Sequence, residues 1–192
     1  MPERNQAALD FLLTRRSRPA KTLQAPVPGR DALRVLLTAA ARSPDHGKLE
    51  PWRFIVLEGA ALQRLARLAE ARGAGLGLAA EQIEKGVRQF ADADLAIAVI
   101  SCPVESEKVP QVEQVLSAGA VCLALLNAAL AAGWGANWLT GWASHDRGFV
   151  TEGLGLDASE TVAGFIHIGT ERAAPPERPR PDIDAITTWV DE

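Results

Sequence analysis

The segment LLTRRSRPAK, Leu12 to Lys21, places three arginines and a lysine within ten residues, directly after an apolar run. A guanidinium is a planar fork that meets phosphate oxygens two at a time, and a neighbouring serine hydroxyl with loop amides completes a monophosphate cradle. Arg15, Arg16 and Ser17 have that composition. The same residues also suit the end of a helix, where each cation meets the helix dipole with about 0.3–1 kcal/mol and needs no ligand. On the residues alone both readings stand.

The other candidates for chemistry are sparse. His46, His145 and His167 are the only histidines. Ser43 near His46 and Ser144 beside His145 pair serine with histidine, but no G-x-S-x-G elbow surrounds either serine. His145-Asp146 is a single adjacent pair, a poor start for a metal site. No Walker lysine motif and no G-x-G-x-x-G follows a strand, and Gly73, Gly75 and Gly77 read as a hinge between two helical stretches. With so little acid, base or nucleophile machinery, an enzyme built on this chain is expected to leave the reaction to a cofactor.

Composition narrows the partners. The chain has 192 residues, 47% of them hydrophobic, enough for one compact domain with its own core. Twenty basic against 24 acidic side chains give a net charge of −4, which argues against an extended basic face for nucleic acid. Cys102 and Cys122 sit in apolar stretches without metal-ligand spacing and read as buried free thiols, in keeping with a reducing cytoplasm. The start, MPERNQAALDFLL, has neither the basic head nor the apolar length of an export signal. From Gln114 to Ser144 no residue is charged, but alanine and glycine dominate and Ser117 and Asn127 interrupt the run, so it reads as a central core helix rather than a membrane span. A dimer partner is the natural source of its remaining cover.

The elements that must position these residues alternate in type. Helical spacing of apolar residues marks Asn5 to Thr14 and Asp31 to Arg42, with a loop rich in proline and glycine between them. WRFIVLE, from Trp52, reads as a strand, with Trp52 as its packing anchor. Helices follow over Ala60 to Arg72 and Ala79 to Phe90, then the buried strand DLAIAVIS, the long helix from near Val109, the extended piece ANWLTGW, a short helix from Asp146 to Leu154, and the last strand VAGFIHIGT. The tail AAPPERPRPDI holds too many prolines for a sheet interior and is expected to run over a surface. This order predicts a mixed α/β or α+β layered domain.

Four stretches together resemble the nitroreductase family of FMN-dependent oxidoreductases, in its small single-domain bacterial form. They are RRSRP at 15–19, ARSPDHGKLEPWRFIVLEG at 41–59, VPQVEQVLSAGAVCLALLNAALAAGWGANWLTG at 109–141 and VAGFIHIGT at 162–170. The combination of Arg-Arg-Ser, Pro-Trp-x-Phe and Gly-Phe-x-x-x-Gly-Thr carries the resemblance. It implies one nitroreductase-like domain over 1–192, a central, mostly antiparallel sheet flanked by helices, and an extended C-terminal arm over 171–192. It also implies an intertwined homodimer with FMN sites at the subunit interface.

Matched residue by residue, Arg15, Arg16 and Ser17 fall at the phosphate and ribityl end of the flavin. Arg42 and His46 fall at the site as contributions from the partner subunit, and Trp138, Leu139 and Thr140 run along the flavin. The implied activity is transfer of hydride from NADH or NADPH through FMN to a nitroaromatic, quinone or similar electron-poor acceptor, with no protein nucleophile and no metal. The alternatives are a flavin-binding protein without turnover and a binder of phosphoryl ligands or nucleic acid. Two departures stand out. Pro19 occupies a position where the family often has a cation near the flavin ring, and Lys48-Leu49-Glu50-Pro51-Trp52 replaces the frequent Asn-x-Gln-Pro-Trp. Lys48, Arg18 or Lys21 is expected to supply the missing charge.

Overall fold

A computed structural model describes residues 3–191. The chain runs α1 (Gln6–Thr14), β1 (Leu23–Gln24), α2 (Arg30–Ala40), β2 (Trp52–Glu58), α3 (Gly59–Gly75), α4 (Ala80–Ala91), β3 (Leu95–Ser101), α5 (Gln111–Ala131), β4 (Gly135–Leu139), α6 (Trp142–His145), α7 (Arg147–Leu154) and β5 (Thr161–Glu171). β5 is the spine of a five-stranded sheet. It pairs with β3 and β4, its end pairs with β1, and β2 forms the edge beyond β3. Every pairing is antiparallel, with Trp52 opposite Ser101, Ala96 opposite His167 and Leu139 opposite Phe165.

Period-two alternation along the strands divides the core into two layers. Ala96, Ala98, Ile100 and Phe165 face α3, α4, α6 and α7, where Phe90 packs between Phe149 and Phe165 at ring distances of 5.4 and 5.2 Å. Leu95, Ile97, Val99, Ala136, Ile166 and Ile168 face α2 and α5. The layered α+β fold and antiparallel sheet expected from the sequence are thus present.

Local chemistry sets the helix ends. Asn5 caps α1 by accepting from the Ala8 amide at 3.0 Å, so it precedes that helix rather than beginning it. Asp146 caps α7 by accepting from the Phe149 amide at 2.7 Å, and its carboxylate also takes a two-pronged bond from Arg72 of α3 at 2.8 and 2.9 Å. Two expectations need correction here. α3 runs through Gly73 and Gly75, and the break falls at Gly77, whose φ of +68° suits the turn. Gly73 lies inside the helix where α4 packs closely against it: a Cβ there would meet Ile83 at 2.9 Å. The two-residue strand β1 lies within the stretch that reads as plain loop, held by its bonds to the end of β5.

α5 is long and apolar enough to cross a membrane by length and composition. In this fold one face of it, including Val121, Cys122, Leu125 and Ala129, is buried in the core, while Val112, Val115, Leu116 and Leu123 lie exposed along the other.

Candidate functional site

Arg15 ends α1, and the backbone turns extended there. The following residues are stitched to the sheet: the Arg18 amide donates to the Ala136 carbonyl at 2.8 Å, and the Asn137 side chain donates to the Arg18 carbonyl at 2.6 Å. Arg15, Arg16 and Ser17 are therefore fixed beside the start of β4. Both guanidiniums converge on Ser17, Arg15 donating to its hydroxyl at 2.9 Å and Arg16 to its carbonyl at 3.3 Å. The Nε atoms of Arg15 and Arg16 are both buried and have no hydrogen-bond partner. Burial, followed by the nearby charges of Arg180 and Arg16, pushes the Arg15 pKa down. Half-buried cations that repel one another and keep spare N–H donors call for an anion with several oxygens.

Arg180 was not singled out by sequence reading, which took the C-terminal segment only as a proline-rich arm. Its signal was the closely spaced basic pair Arg178 and Arg180 within the arm. Arg180 pairs with Glu177 at 2.7 Å, and Glu177 itself is held low by the Arg178 amide, by Arg180 and by the charge of Arg16.

Arg18 is committed elsewhere. It forms an ion pair with Glu171 at the end of β5, at 2.9 Å. Of the three cations that could stand in for the one absent at Pro19, Arg18 is thus engaged, and Lys21 and Lys48 are exposed.

The second set of site residues lies on the loop between α2 and β2. Arg42 and Lys48 are exposed. His46 contacts the Glu113 carboxylate of α5 at 2.6 Å. Ser117, also on α5, donates to the Pro44 carbonyl at 2.7 Å and accepts from the Trp52 indole at 3.1 Å, so Trp52 does anchor this loop as well as its strand. Lys48 and Glu50 have φ of +56° and +48°. Two left-handed non-glycine residues in one five-residue stretch are strained, and such strain persists only where the surroundings enforce the loop shape. Within one chain, no hydrogen bond or ion pair among the described residues joins this loop to Arg15, Arg16 or Ser17.

The third set ends β4. Trp138 lies over Gly164, where a Cβ would fall 2.0 Å from its indole nitrogen, and that nitrogen donates to the Ala163 carbonyl at 3.3 Å. Its ring is packed onto the α2–α5 side of the sheet. Leu139 points to the opposite side and lines a cavity with His167, and Thr140 is exposed in the turn that follows. Gln89 of α4 approaches this turn, its Oε1 lying 3.2 Å from where a Cβ of Gly141 would sit.

The cysteines differ. Cys122 is fully buried, but Cys102 is only half-buried, contrary to expectation, because it sits just beyond the end of β3. Its Sγ donates to Glu160 at 3.2 Å, and Glu160 also accepts two bonds from Arg53 at 2.7 and 2.8 Å. Burial and the Glu160 carboxylate push the Cys102 thiol up to about 11, and burial pushes Cys122 up to about 12. Among the described residues, no group of three His, Cys, Asp or Glu side chains is set to hold a metal.

Comparison with known proteins agrees with these features. The family model described as "Nitroreductase family" matches residues 12–170. YdjA of Escherichia coli (strain K12), assigned in name to the NAD(P)H nitroreductases, is 35% identical over 163 residues, which span 85% of this chain and 87% of YdjA. The nitroreductase-like family protein from Bacillus cereus superposes with a TM-score of 0.81 at 22% identity, over the whole of both chains. The FMN-dependent nitroreductase NfnB from Mycobacterium smegmatis, solved with NADPH, superposes with a TM-score of 0.75 at 18% identity, over 97% of this chain and 99% of NfnB. The matched span runs from the segment that carries the paired arginines to the threonine that ends the last strand motif, and the chain belongs to the nitroreductase family.

Proposed function

We propose that the protein is a cytoplasmic FMN-dependent oxidoreductase that takes reducing equivalents from NADH or NADPH and passes them to nitroaromatic, quinone or similar electron-poor acceptors. The observation that carries this reading is the set of two half-buried arginines with unpartnered Nε atoms converging on Ser17, with Arg180 facing them. Membership of the family and the names of its relatives give the reaction class.

FMN fits the residues present. Its phosphate brings the oxygens that the orphaned donors lack, and Arg15, Arg16 and Ser17, with Arg180, would hold it. Leu139 and Thr140 would lie along the ring, and the Trp138 indole would support that wall from behind. When bound, FMN supplies the hydride chemistry, accepting from the nicotinamide and reducing the acceptor. The protein binds, orients and excludes water; none of its side chains need act as a nucleophile.

The reading includes a homodimer. Arg42, His46 and Lys48 of one subunit would meet the flavin held by the other, which accounts for a strained, exposed loop that makes no hydrogen bond or ion pair, among the described residues, with the arginine site of its own chain. The exposed apolar residues of α5 and of the arm, Ile186, Trp189 and Val190 among them, supply the surface for it. Lys48 would place a positive charge near the ring and stabilise its anionic reduced form.

The test is the absorbance spectrum of the purified protein, repeated anaerobically after each reduced nicotinamide. A flavin spectrum that bleaches is expected. A yellow protein that neither NADH nor NADPH bleaches would indicate binding without turnover, and a colourless protein that takes up no FMN would reject the reading.

A further inference from the structure

The loop between α2 and β2 has a demanding backbone. Gly47, Lys48 and Glu50 have φ of +76°, +56° and +48°, and at the two non-glycine residues that conformation is strained. Within the loop, the Glu50 amide donates to the Asp45 carboxylate at 2.6 Å and the Trp52 amide to the Glu50 carbonyl at 2.7 Å. These bonds close the turn without fixing it to the rest of the molecule, so its anchorage comes from elsewhere.

That anchorage is α5. Ser117, only 8% exposed, donates to the Pro44 carbonyl at 2.7 Å and accepts from the Trp52 indole at 3.1 Å, so one hydroxyl ties the start of the loop to the residue at its end. Glu113 lies one turn earlier on the same face of the helix, its carboxylate 2.6 Å from His46 Nδ1. Between them Gln114 donates to the carbonyls of Val104 and Val109, and the buried Val109 side chain lies 3.4 Å from where a Cβ of Gly47 would stand. The His46 pair is exposed and weak by itself. Ser117 is buried, and its loss leaves a carbonyl and an indole N–H without partners. It is therefore the contact on which the loop's shape most depends. The same turns of α5 expose Val112, Val115 and Leu116, so the clamp stands on a helix with an apolar face free for a second subunit.

We propose that Ser117 is a positioning residue, whose hydroxyl holds the loop in the shape that presents His46 and Lys48 to the flavin held by the other subunit. It acts through the loop rather than on the flavin. The link to flavin rests on the reading given above; the clamp rests on the geometry of α5 and the loop alone.

The experiment compares the FMN-loaded and flavin-free protein with Ser117→Ala and Trp52→Phe, thermal unfolding checking that each is folded. Hydrogen exchange is followed over residues 43–52, with β3 and β5 as the reference. Ser117→Ala should speed exchange in the loop about tenfold and leave β3 and β5 unchanged, and Trp52→Phe, which keeps the Pro44 bond, should speed it about threefold. At saturating FMN the visible flavin band of both variants should move, because a loosened loop changes what lies against the ring, whereas lost stability alone leaves the spectrum of folded, saturated protein as it was. Should Ser117→Ala not fold, Trp52→Phe carries the same two readings. Unchanged loop exchange in folded variants would overturn the clamp. Faster loop exchange with an unshifted flavin band would make Ser117 a purely structural residue and overturn the proposal equally. Protein that takes up no FMN would reject the flavin reading, and loop exchange alone would then decide the clamp.

Discussion

Arg15 at the end of the first helix and Arg180 in the C-terminal arm face one another closely enough for the charge of one to lower the pKa of the other. Two ends of the chain thus set like charges side by side, with the Glu177 carboxylate that pairs with Arg180 also within reach of the charge of Arg16. An anion bound there turns repulsion into a shared bond, and binding must therefore tighten the arm as much as the arm tightens binding.

It follows that FMN protects the arm. Limited proteolysis at residues 172–191 should slow when FMN is added and much less when riboflavin is added. Arg180→Gln should weaken FMN binding by about tenfold, the value of one charge-assisted bond. Deleting residues 171–192 should also raise the concentration at which the dimer dissociates, measured by sedimentation; a truncated protein that stays dimeric to the same dilution would count against the arm as part of the interface.

Stability should fall in two steps on acidification. Burial lowers the His167 pKa from 6.5 to about 4, so between those values the unfolded chain binds a proton that the folded one refuses, and stability declines as pH falls. Arg53 lowers Glu160 from 4.5 to about 2, so its contribution is full above pH 4.5 and lost between 4.5 and 2. With Arg53 partly exposed, the Glu160 step amounts to roughly 1–2 kcal/mol. Denaturant midpoints across pH 3–7 check this: His167→Gln should flatten the upper step alone, and Glu160→Gln the lower.

The site was partly legible in the sequence. Arg15, Arg16 and Ser17 could be singled out because paired arginines beside a serine have the composition of a phosphate cradle, but the residues alone left a helix end equally open and only the resemblance to the family chose between the two; WRFIVLE could be bounded because its alternation is local. Arg180 could not, since only the tertiary fold returns the arm to α1. Gly73 misled for a similar reason: a glycine reads as a helix break, but here it is the close approach of α4 that requires it. Cys102 looked buried from its apolar neighbours, while its actual exposure depends on where β3 ends.

Gly164 tests the packing behind the β4 wall. Because Trp138 lies directly over it, Gly164→Ala should displace the indole and cost about 1–3 kcal/mol, the usual penalty for overpacking. Trp138→Phe, which keeps most of the contact, should be milder. Tryptophan fluorescence and unfolding midpoints report both; an unshifted spectrum in Gly164→Ala would contradict the geometry.

Neither thiol should be reactive near neutral pH. With Cys102 raised to about 11 and Cys122 to about 12, the thiolate fraction is negligible. Alkylation by iodoacetamide at pH 7 should be slow until the protein is unfolded, and rapid labelling of Cys102 in native protein would contradict its contact with Glu160.

The most direct test of the account is the affinity of the flavin-free protein for FMN against riboflavin, which differ only by the phosphate. Titrations followed by flavin fluorescence should show FMN bound at least about a hundredfold more tightly, as expected for two or more charge-assisted bonds to phosphate. Arg15→Met and Arg16→Met should erode that preference while leaving riboflavin affinity nearly unchanged. Equal affinity for the two flavins, or a preference untouched by both substitutions, would contradict the assignment of Arg15, Arg16 and Ser17 as the phosphate cradle.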